Sequence, residues 1–196
     1  MAIMQQALLA QRPRNLAPQT EAKAVLLTAS MFNSAYYDHV FLAQQLNILL
    51  VERRDLIIQD AEVYMITIYG LEKFDITSRR INDDFLDPTV FQEDSLLGVP
   101  HIMGTYKAGN VLILNAIGNG VANDKAMNAY VPDMIRYYLK EETILENVST
   151  YHLSDPQQLA WVLSHTDEHV IKNVGASGGY DMFIAPHVSK EDISLF

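Results

Sequence analysis

The sequence predicts an α/β protein, with a Rossmann-like parallel sheet in the front of the chain and a smaller α+β region behind it. Three observations predict this. Continuous apolar runs, typical of buried parallel strands, occur at 24–29, 48–51 and 111–116 with helical segments between them. The longest helical pattern follows at 124–139. A glycine-rich loop then separates two short apolar segments within 170–184.

Length and composition bound the class of protein. The 196 residues suffice for one large domain or two small ones, and 49% hydrophobic with 19% charged residues is typical of a packed globular chain. The net charge of −10 argues against a nucleic-acid partner. With no cysteine, the sequence excludes disulfides, thiolate catalysis and cysteine zinc sites.

The sequence predicts a soluble, cytoplasmic protein with no membrane partner. The start, MAIMQQALLAQRPR, has no basic segment before its apolar residues and does not resemble a signal peptide. No apolar run approaches the roughly 20 residues that a membrane-spanning helix needs.

Residues 1–23 are predicted to be a connector, with a weakly helical start and then a polar stretch containing prolines. The elements predicted after it are, in order, a strand at 24–29, a helix at 37–46, a strand at 48–51, a meander of strands at 55–58, 62–68 and after Gly70, a strand at 74–78 and a helix at 101–109. Gly109 is expected to end that last helix.

The rest of the chain is predicted to continue with a strand at 111–116 and a helix at 124–139, which Pro132 should kink or split. A short strand is expected at 150–153. Asp155 then caps a helix with Pro156 at its first position. The last elements expected are that helix to about Ser164, the two strands flanking the glycine-rich loop, and a short helix from Ser189.

The segment RRINDDFLDP, residues 79–88, follows the predicted strand 74–78. Arginines beside carboxylates at a strand end can bind a phosphate or carboxylate and hold Mg²⁺. Ligand sites in α/β sheets lie beyond such strand ends, so Arg80, Asp83 and Asp84 are candidate catalytic residues. The alternative is a solvated turn with local ion pairs.

Two further strand ends carry polar residues. Asn33, Ser34 and Tyr36 follow the first strand and could bind substrate or cap the next helix. Gly118-Asn119-Gly120 follows strand 111–116 and resembles half of a dinucleotide fingerprint, without its third glycine, so a tight turn is favoured over NAD binding. Lys125, in the first turn of the next helix, could face an anion or lie on the surface. The six histidines do not favour a metal site, and metal ligands stay open.

The stretch VIKNVGASGGYD, residues 170–181, predicts a strand, a loop of small residues and a second strand. Glycines allow the backbone to approach an anion closely, and Lys172 adds a point charge for the same anion. The pattern is therefore that of a flap over a nucleotide, although a plain glycine-rich hairpin has the same appearance. It is not a Walker loop, because no Gly-Lys-Ser/Thr follows the glycines.

Together these segments resemble the circularly permuted ATP-grasp family related to glutathionylspermidine synthase, whose members are often uncharacterised bacterial proteins. The resemblance covers about residues 24–186. It rests on four blocks in the order of the family: NSAYYDHVFLAQQL, RRINDDFLDPTVFQEDSLLGVP, YKAGNVLILNAIGNGVANDKAMNAYVPDMIRYYL and VIKNVGASGGY.

The resemblance implies a pre-ATP-grasp Rossmann-like domain at 24–122 and a partial ATP-grasp nucleotide-binding subdomain at 123–196. It implies that Lys172 contacts ATP phosphates and that Lys125 lies at a nucleotide-binding helix start. The flap over the phosphates would consist of Ser177, Gly178, Gly179 and Tyr180. Arg80, Asp83 and Asp84 would lie near the transferred phosphate.

The implied activity is that of an ATP-dependent carboxylate–amine ligase acting through an acyl phosphate, with ATP and Mg²⁺ as cofactors and a small carboxylate and an amine as substrates. The alternative is a non-catalytic remnant or interaction module that keeps the fold. Whether a homo-oligomer or a partner chain completes the site stays open.

The chain also departs from the family pattern. Asp181 and Ala185 stand where flap glycines are usual, Asn173 replaces a frequent proline, and Asn82 replaces a frequent aspartate. An aspartate beside phosphates is repulsive. Family members are much longer, so the chain resembles the central part of such an enzyme. Weak ATP binding without ligase turnover is therefore expected of this chain alone.

Overall fold

The computed structural model describes residues 2–175 and 182–184, and the chain forms two compact units, 1–119 and 120–196. The helices and strands are, in order, α1 (Ala2–Ala10), β1 (Ala24–Leu27), α2 (Tyr36–Leu46), β2 (Leu49–Val51), β3 (Leu56–Gln59), β4 (Glu62–Thr67), β5 (Gly70–Phe74), β6 (Ile76–Arg79), α3 (Ile102–Ala108), β7 (Leu112–Leu114), α4 (Met127–Met134), α5 (Pro156–Ser164), β8 (Val170–Lys172) and β9 (Met182–Ile184).

A four-stranded parallel sheet organises the first unit. Its strand order is β2-β1-β6-β7, so β1 and β6 are the central strands. All four residues of β1 are buried, as its continuous apolar run predicts. The largest buried side chains include Val25 and Leu27 from β1 and Ile113 from β7, and they belong to one core cluster.

A three-stranded antiparallel meander, β3-β4-β5, is inserted between β2 and β6. The turn between β3 and β4 consists of Asp60 and Ala61, both with positive φ, which matches the twist of a two-residue hairpin. Val63 and Phe74 are opposite each other in the register, and both are buried in the main core cluster.

The N-terminal 23 residues, predicted as a connector, carry α1 and pack on the sheet. Leu8, Leu9 and Leu16 lie against a core cluster that contains Ala24 of β1 and Ile76 of β6. The segment is therefore part of the first unit, because its apolar side chains pack against the first residues of the two central strands.

In the second unit α4 continues directly into a π-helical turn, Ile135–Leu139. Pro132 has no N–H to donate to the carbonyl of Asn128, four residues earlier. The side-chain amide of Asn147 donates to that carbonyl instead, at 2.8 Å. The predicted helix at 124–139 is thus shorter at its start and changes its hydrogen-bond pattern after the proline.

The predicted strand at 150–153 is wrong, because these residues have irregular backbone. Side chains take the hydrogen bonds that a neighbouring strand would provide. The N–H of His152 donates to Gln158 Oε1 at 2.8 Å, and Thr150 Oγ1 donates to the carbonyl of Val148 at 2.9 Å. Local side-chain pairing of this kind competes with strand formation.

Asp155 caps α5 as predicted. Its Oδ1 accepts hydrogen bonds from the N–H groups of Gln157 at 2.8 Å and Gln158 at 3.3 Å, and these bonds lower the pKa of the carboxyl. After α5, β8 and β9 pair antiparallel, with Lys172 opposite Met182. The predicted helix from Ser189 lies outside the described residues.

Across the described ranges, the helices are too short and too polar to cross a bilayer.

His39 fixes α2 against the sheet. Its side chain is buried, and its Nδ1 shares a hydrogen bond of 2.8 Å with Oγ1 of Thr28, the residue after β1. Burial lowers the pKa of the imidazole, and the nearby charge of Arg80 adds to this effect against a smaller opposing effect of Asp38. Folding therefore favours the neutral form of His39.

We expect His39 to make stability depend on pH. Because its folded pKa lies below the unfolded value of about 6.5, its contribution is complete above that pH and is lost as the pH falls through the folded pKa. Between pH 7.5 and pH 5.5, the free energy of unfolding measured by urea titration should fall more for the wild type than for His39→Gln. The slope for one proton is at most about 1.4 kcal/mol per pH unit. Equal losses in both proteins would contradict this assignment.

Candidate functional site

Three loops leave the same edge of the parallel sheet. They follow β1, β6 and β7, and because these strands are adjacent and parallel, their carboxyl ends lie side by side. The N–H of Arg80 donates to the carbonyl of Leu27 at 2.8 Å, which joins the first residue after β6 to the last residue of β1. In open α/β sheets this edge is where ligands bind.

Arg79, the last residue of β6, organises this edge. Only 8% of the residue is exposed. Its guanidinium donates to the carbonyls of Asn115 and Ala116 at 3.0 Å each, of Ile81 at 2.7 Å, and to Oδ1 of Asn119 at 3.1 Å. The side chain therefore holds the loop after β7 in place, and its donors are directed at the protein itself.

Asp83 completes this arrangement. Its Oδ1 lies 2.6 Å from Nη2 of Arg79, and its Oδ2 accepts a hydrogen bond of 3.2 Å from the N–H of Gly118. Gly118 has a φ of 87°, a conformation that favours glycine. The segment Gly118-Asn119-Gly120 thus opens a 3₁₀ turn, Asn119–Asn123, and its first N–H binds a carboxylate of the chain.

Arg80 and Asp84 behave differently from Arg79 and Asp83. Both are exposed, and neither side chain forms a hydrogen bond or ion pair with another of the residues that the structure describes. The three predicted catalytic residues are therefore close in sequence but unequal in role. Asp83 is engaged in holding two loops, while Arg80 and Asp84 face solvent.

Sequence reasoning missed Asp87, which is fully buried. Its carboxylate accepts hydrogen bonds from the N–H and Oγ1 of Thr89 and from the N–H groups of His101 and Met103. Burial raises the pKa of Asp87, but these four bonds outweigh it and keep the pKa below its ordinary value. The Asp-Pro-Thr sequence, typical of a turn closed by an aspartate side chain, is the signal that could have found it.

The predicted substrate residues form the turn that precedes α2. Asn33 Oδ1 accepts from the N–H of Ala35 at 2.9 Å, and the carbonyl of Asn33 accepts from the N–H of Tyr36 at 3.0 Å. Ser34 is exposed, and Tyr36 is half-buried as the first residue of α2. The geometry accounts for Asn33 as a turn residue, and a role in substrate binding stays a prediction.

In the second unit the segment before α4 contacts the start of the glycine-rich loop. Nζ of Lys125 donates to the carbonyl of Asn173 at 3.0 Å and to that of Val174 at 3.4 Å. The N–H of Lys125 also donates to the Val174 carbonyl at 3.4 Å. Asn173 Oδ1 accepts from the N–H of Gly175 at 3.1 Å, which turns the chain at the beginning of the loop.

Lys172 ends β8 and is exposed, one residue before the carbonyl that Lys125 binds. Its neighbour Ile171 is opposite the buried Phe183 of β9. Successive side chains of a strand point to opposite faces, so Lys172 lies on the face away from that contact. The other predicted flap residues lie outside the described residues: Ser177, Gly178, Gly179, Tyr180 and Asp181.

A cluster of aromatic rings accounts for two histidines of the second unit. His165 and His169 have a four-residue spacing that can bind a metal on a helix, but α5 ends at Ser164. Both rings pack on Trp161, with centroids 4.6 and 5.0 Å from it. Within 2–175 and 182–184, no three histidine or carboxylate side chains are grouped closely enough to hold a metal ion.

The described residues combine a Rossmann-like parallel sheet, an arginine–aspartate pair at its carboxyl edge and a hairpin whose first strand ends at Lys172. The chain belongs to the circularly permuted ATP-grasp type 2 family, whose sequence profile matches residues 1–196.

Relatives cover nearly all of the chain. It is 48% identical over 184 residues to an uncharacterized protein of Synechocystis. The matched stretch makes up 93% of this chain and 38% of that relative. An uncharacterized protein of Mycobacterium tuberculosis is 44% identical over 183 residues, covering 92% and 33%. A Frankia alni protein with the name "Putative glutamate--cysteine ligase 2-3" is 36% identical over 186 residues, covering 95% and 21%. The chain thus spans between about a fifth and two fifths of the length of these relatives.

We expect Arg79→Lys to destabilise the sheet edge strongly. Lysine keeps the charge but cannot reproduce the planar fork that binds three carbonyls and a carboxylate. The free energy of unfolding should fall by about 2–4 kcal/mol in urea titrations, because buried acceptors lose their partner. Arg80→Lys is the matched control, with an expected change of about 0.5 kcal/mol or less. Similar losses in the two variants would contradict the organising role of Arg79.

Proposed function

We propose that this chain is the nucleotide-binding portion of an ATP-dependent carboxylate–amine ligase. The observation that supports this best is the position of Lys125 at the base of the loop between β8 and β9. The carbonyls that Nζ of Lys125 contacts, those of Asn173 and Val174, lie in the chain between the exposed Lys172 and Gly175, the first glycine of the loop. An ammonium beside a glycine-rich backbone is a combination that suits phosphate.

The electrostatics of the chain make this position notable. The protein carries a net charge of −10, so its surface repels a triphosphate on average. Binding then requires a local cationic site. Lys125 and Lys172 would supply the charge. Among the described residues, no heavy atom lies within 4 Å of the place where a Cβ at Gly175 would stand. The backbone at this glycine is therefore open to a ligand.

The proposed reaction has two steps. A carboxylate oxygen of the acid attacks the γ-phosphorus of ATP, and the bond to the β,γ-bridging oxygen breaks, giving an acyl phosphate and ADP. An amine nitrogen then attacks the acyl carbon, the carbon–oxygen bond to phosphate breaks, and the amine loses a proton. Lys125 and Lys172 would stabilise the phosphate oxygens. Arg80, exposed at the carboxyl edge of the sheet in the first unit, has a charge that suits an anionic ligand, and its catalytic role stays a prediction.

We assign no step to Mg²⁺. The described residues offer no group of three carboxylate or imidazole ligands. Asp83 belongs to the segment that the sequence analysis considers for Mg²⁺, but its carboxylate is engaged with Arg79 and the N–H of Gly118. The ligase class agrees with the name of the Frankia relatives, but that name belongs to proteins of which the chain covers only 21%.

The second candidate function is nucleotide binding without turnover. One observation favours it: Asp83, a predicted catalytic carboxylate, is engaged with Arg79 and the N–H of Gly118. The two candidates differ in one measurable property, which is amine-dependent release of ADP.

We expect the chain to bind ATP–Mg²⁺ weakly, with a Kd in the high micromolar range or above. A Kd near 1 mM corresponds to about −4 kcal/mol, which a phosphate loop and two cations can supply. Lys125→Gln should weaken binding by about tenfold or more, since it removes a charge-assisted bond worth about 1.5–3 kcal/mol. Titration calorimetry measures both affinities.

Lys107→Gln is the matched control, because Lys107 is exposed at the end of α3 in the other unit and should leave affinity unchanged. An equal loss in both variants would reduce the effect to net charge and contradict the site. An ADP-release assay with mixed carboxylates and amines then separates the candidates. Amine-dependent ADP release supports the ligase, and binding without release supports the second function.

A further inference from the structure

A cleft of about 330 Å³ lies in the first unit, beside the residues that follow β2. Its walls combine two arginines and a histidine, Arg53, Arg54 and His101, with the apolar side chains of Leu56, Ile58 and Val99. We propose that this cleft binds a small organic carboxylate with an aliphatic body. Its volume falls in the range of sites for small ligands, and its chemistry is that of a ligand with one charged and one apolar end.

Arg53 is the residue that points to a missing anion. It is half-buried, and its Nε is shielded from solvent without a hydrogen-bond partner among the described residues. The described part of the chain also gives its guanidinium no ion pair. A buried arginine donor without an acceptor is costly, so proteins normally satisfy it. A carboxylate in the cleft would provide two acceptor oxygens in the planar geometry that a guanidinium matches.

The neighbouring charges leave this role to Arg53. Arg54 is largely exposed, and its Nε lies 3.1 Å from Oε2 of Glu52. The carboxylate of Asp55 accepts from the N–H of Glu52 at 2.8 Å. Both acidic side chains of this 3₁₀ turn are therefore engaged locally, and the turn holds Arg53 between them without neutralising it.

The other wall of the cleft selects the body of the ligand. Leu56 and Val99 are buried, Ile58 is half-buried, and Ile57 is 40% exposed. Apolar surface of this kind favours a hydrocarbon over the hydration shell of an inorganic anion. Aliphatic carboxylates therefore fit better than free phosphate.

The cleft is also built rigidly. His101 has a φ of 70°, and its N–H donates to Oδ1 of the buried Asp87 at 3.1 Å. This bond holds the segment 99–101, one wall of the cleft, against the loop that carries Asp87. All of these residues belong to the first unit, so the proposal stands independently of the nucleotide function proposed for the second.

The test uses 4-methylpentanoate as the probe, 4-methylpentanamide as its neutral isostere and inorganic phosphate as the second anion. Binding to the whole 196-residue chain is followed by titration calorimetry and by backbone NMR shifts. We expect the carboxylate to bind with a Kd of about 1 mM or tighter, and the amide and phosphate at least about tenfold more weakly. Shifts should be centred on residues 53–58 and 99–101.

Arg53→Gln should weaken carboxylate binding by about tenfold and leave amide binding unchanged. Arg14→Gln, at an exposed arginine of the same unit, should change neither. Should Arg53→Gln fail to fold, the comparison of carboxylate with amide on the wild-type chain still decides. Equal affinity for the two, shifts elsewhere, or phosphate binding as tightly as the carboxylate would overturn the proposal.

Discussion

The buried guanidinium of Arg79 is the constraint on which the sheet edge depends. A charge placed at the end of a central strand must be neutralised and hydrogen-bonded, or its burial is prohibitive. Asp83 supplies the countercharge. The carbonyl of Ile81 and three oxygen atoms of the loop after β7 supply the remaining acceptors. One side chain therefore couples the exits of two strands. The arrangement of the loops at this edge follows from the need of the guanidinium for hydrogen-bond acceptors and a countercharge.

This requirement separates residues that build the edge from residues that can act there. Asp83 pairs with Arg79 and accepts the N–H of Gly118. Arg80 and Asp84, each one position further along the chain, are exposed. Asp87 plays the same building role for the loop that leads into α3, through four hydrogen bonds to its carboxylate. The chemistry available to a ligand is what remains after these internal demands are met.

The sequence predicts well those features that depend on local rules. Buried apolar runs locate the strands, and Asp155 followed by Pro156 locates the start of α5. It cannot decide which of two adjacent arginines is buried, because residues alternate between faces of a strand and the final register sets which faces inward. The strand expected at 150–153 fails for a related reason. Gln158, which takes the N–H of His152, comes from the following helix.

The distribution of cations explains why the cleft beside β2 differs from the rest of the surface. Several cations form ion pairs, as Lys23 does with Glu72 and Lys73 with Glu62. Lys107 and Lys172, which form no such pair with the described residues, are exposed, and water solvates them at little cost. Arg53 fits neither group, because it is half-buried and has no anionic partner in the part of the chain that the structure describes. In a chain with ten more acidic than basic residues, a local carboxylate partner would have been easy to provide. Its absence among the described residues is therefore best explained by a ligand that brings its own.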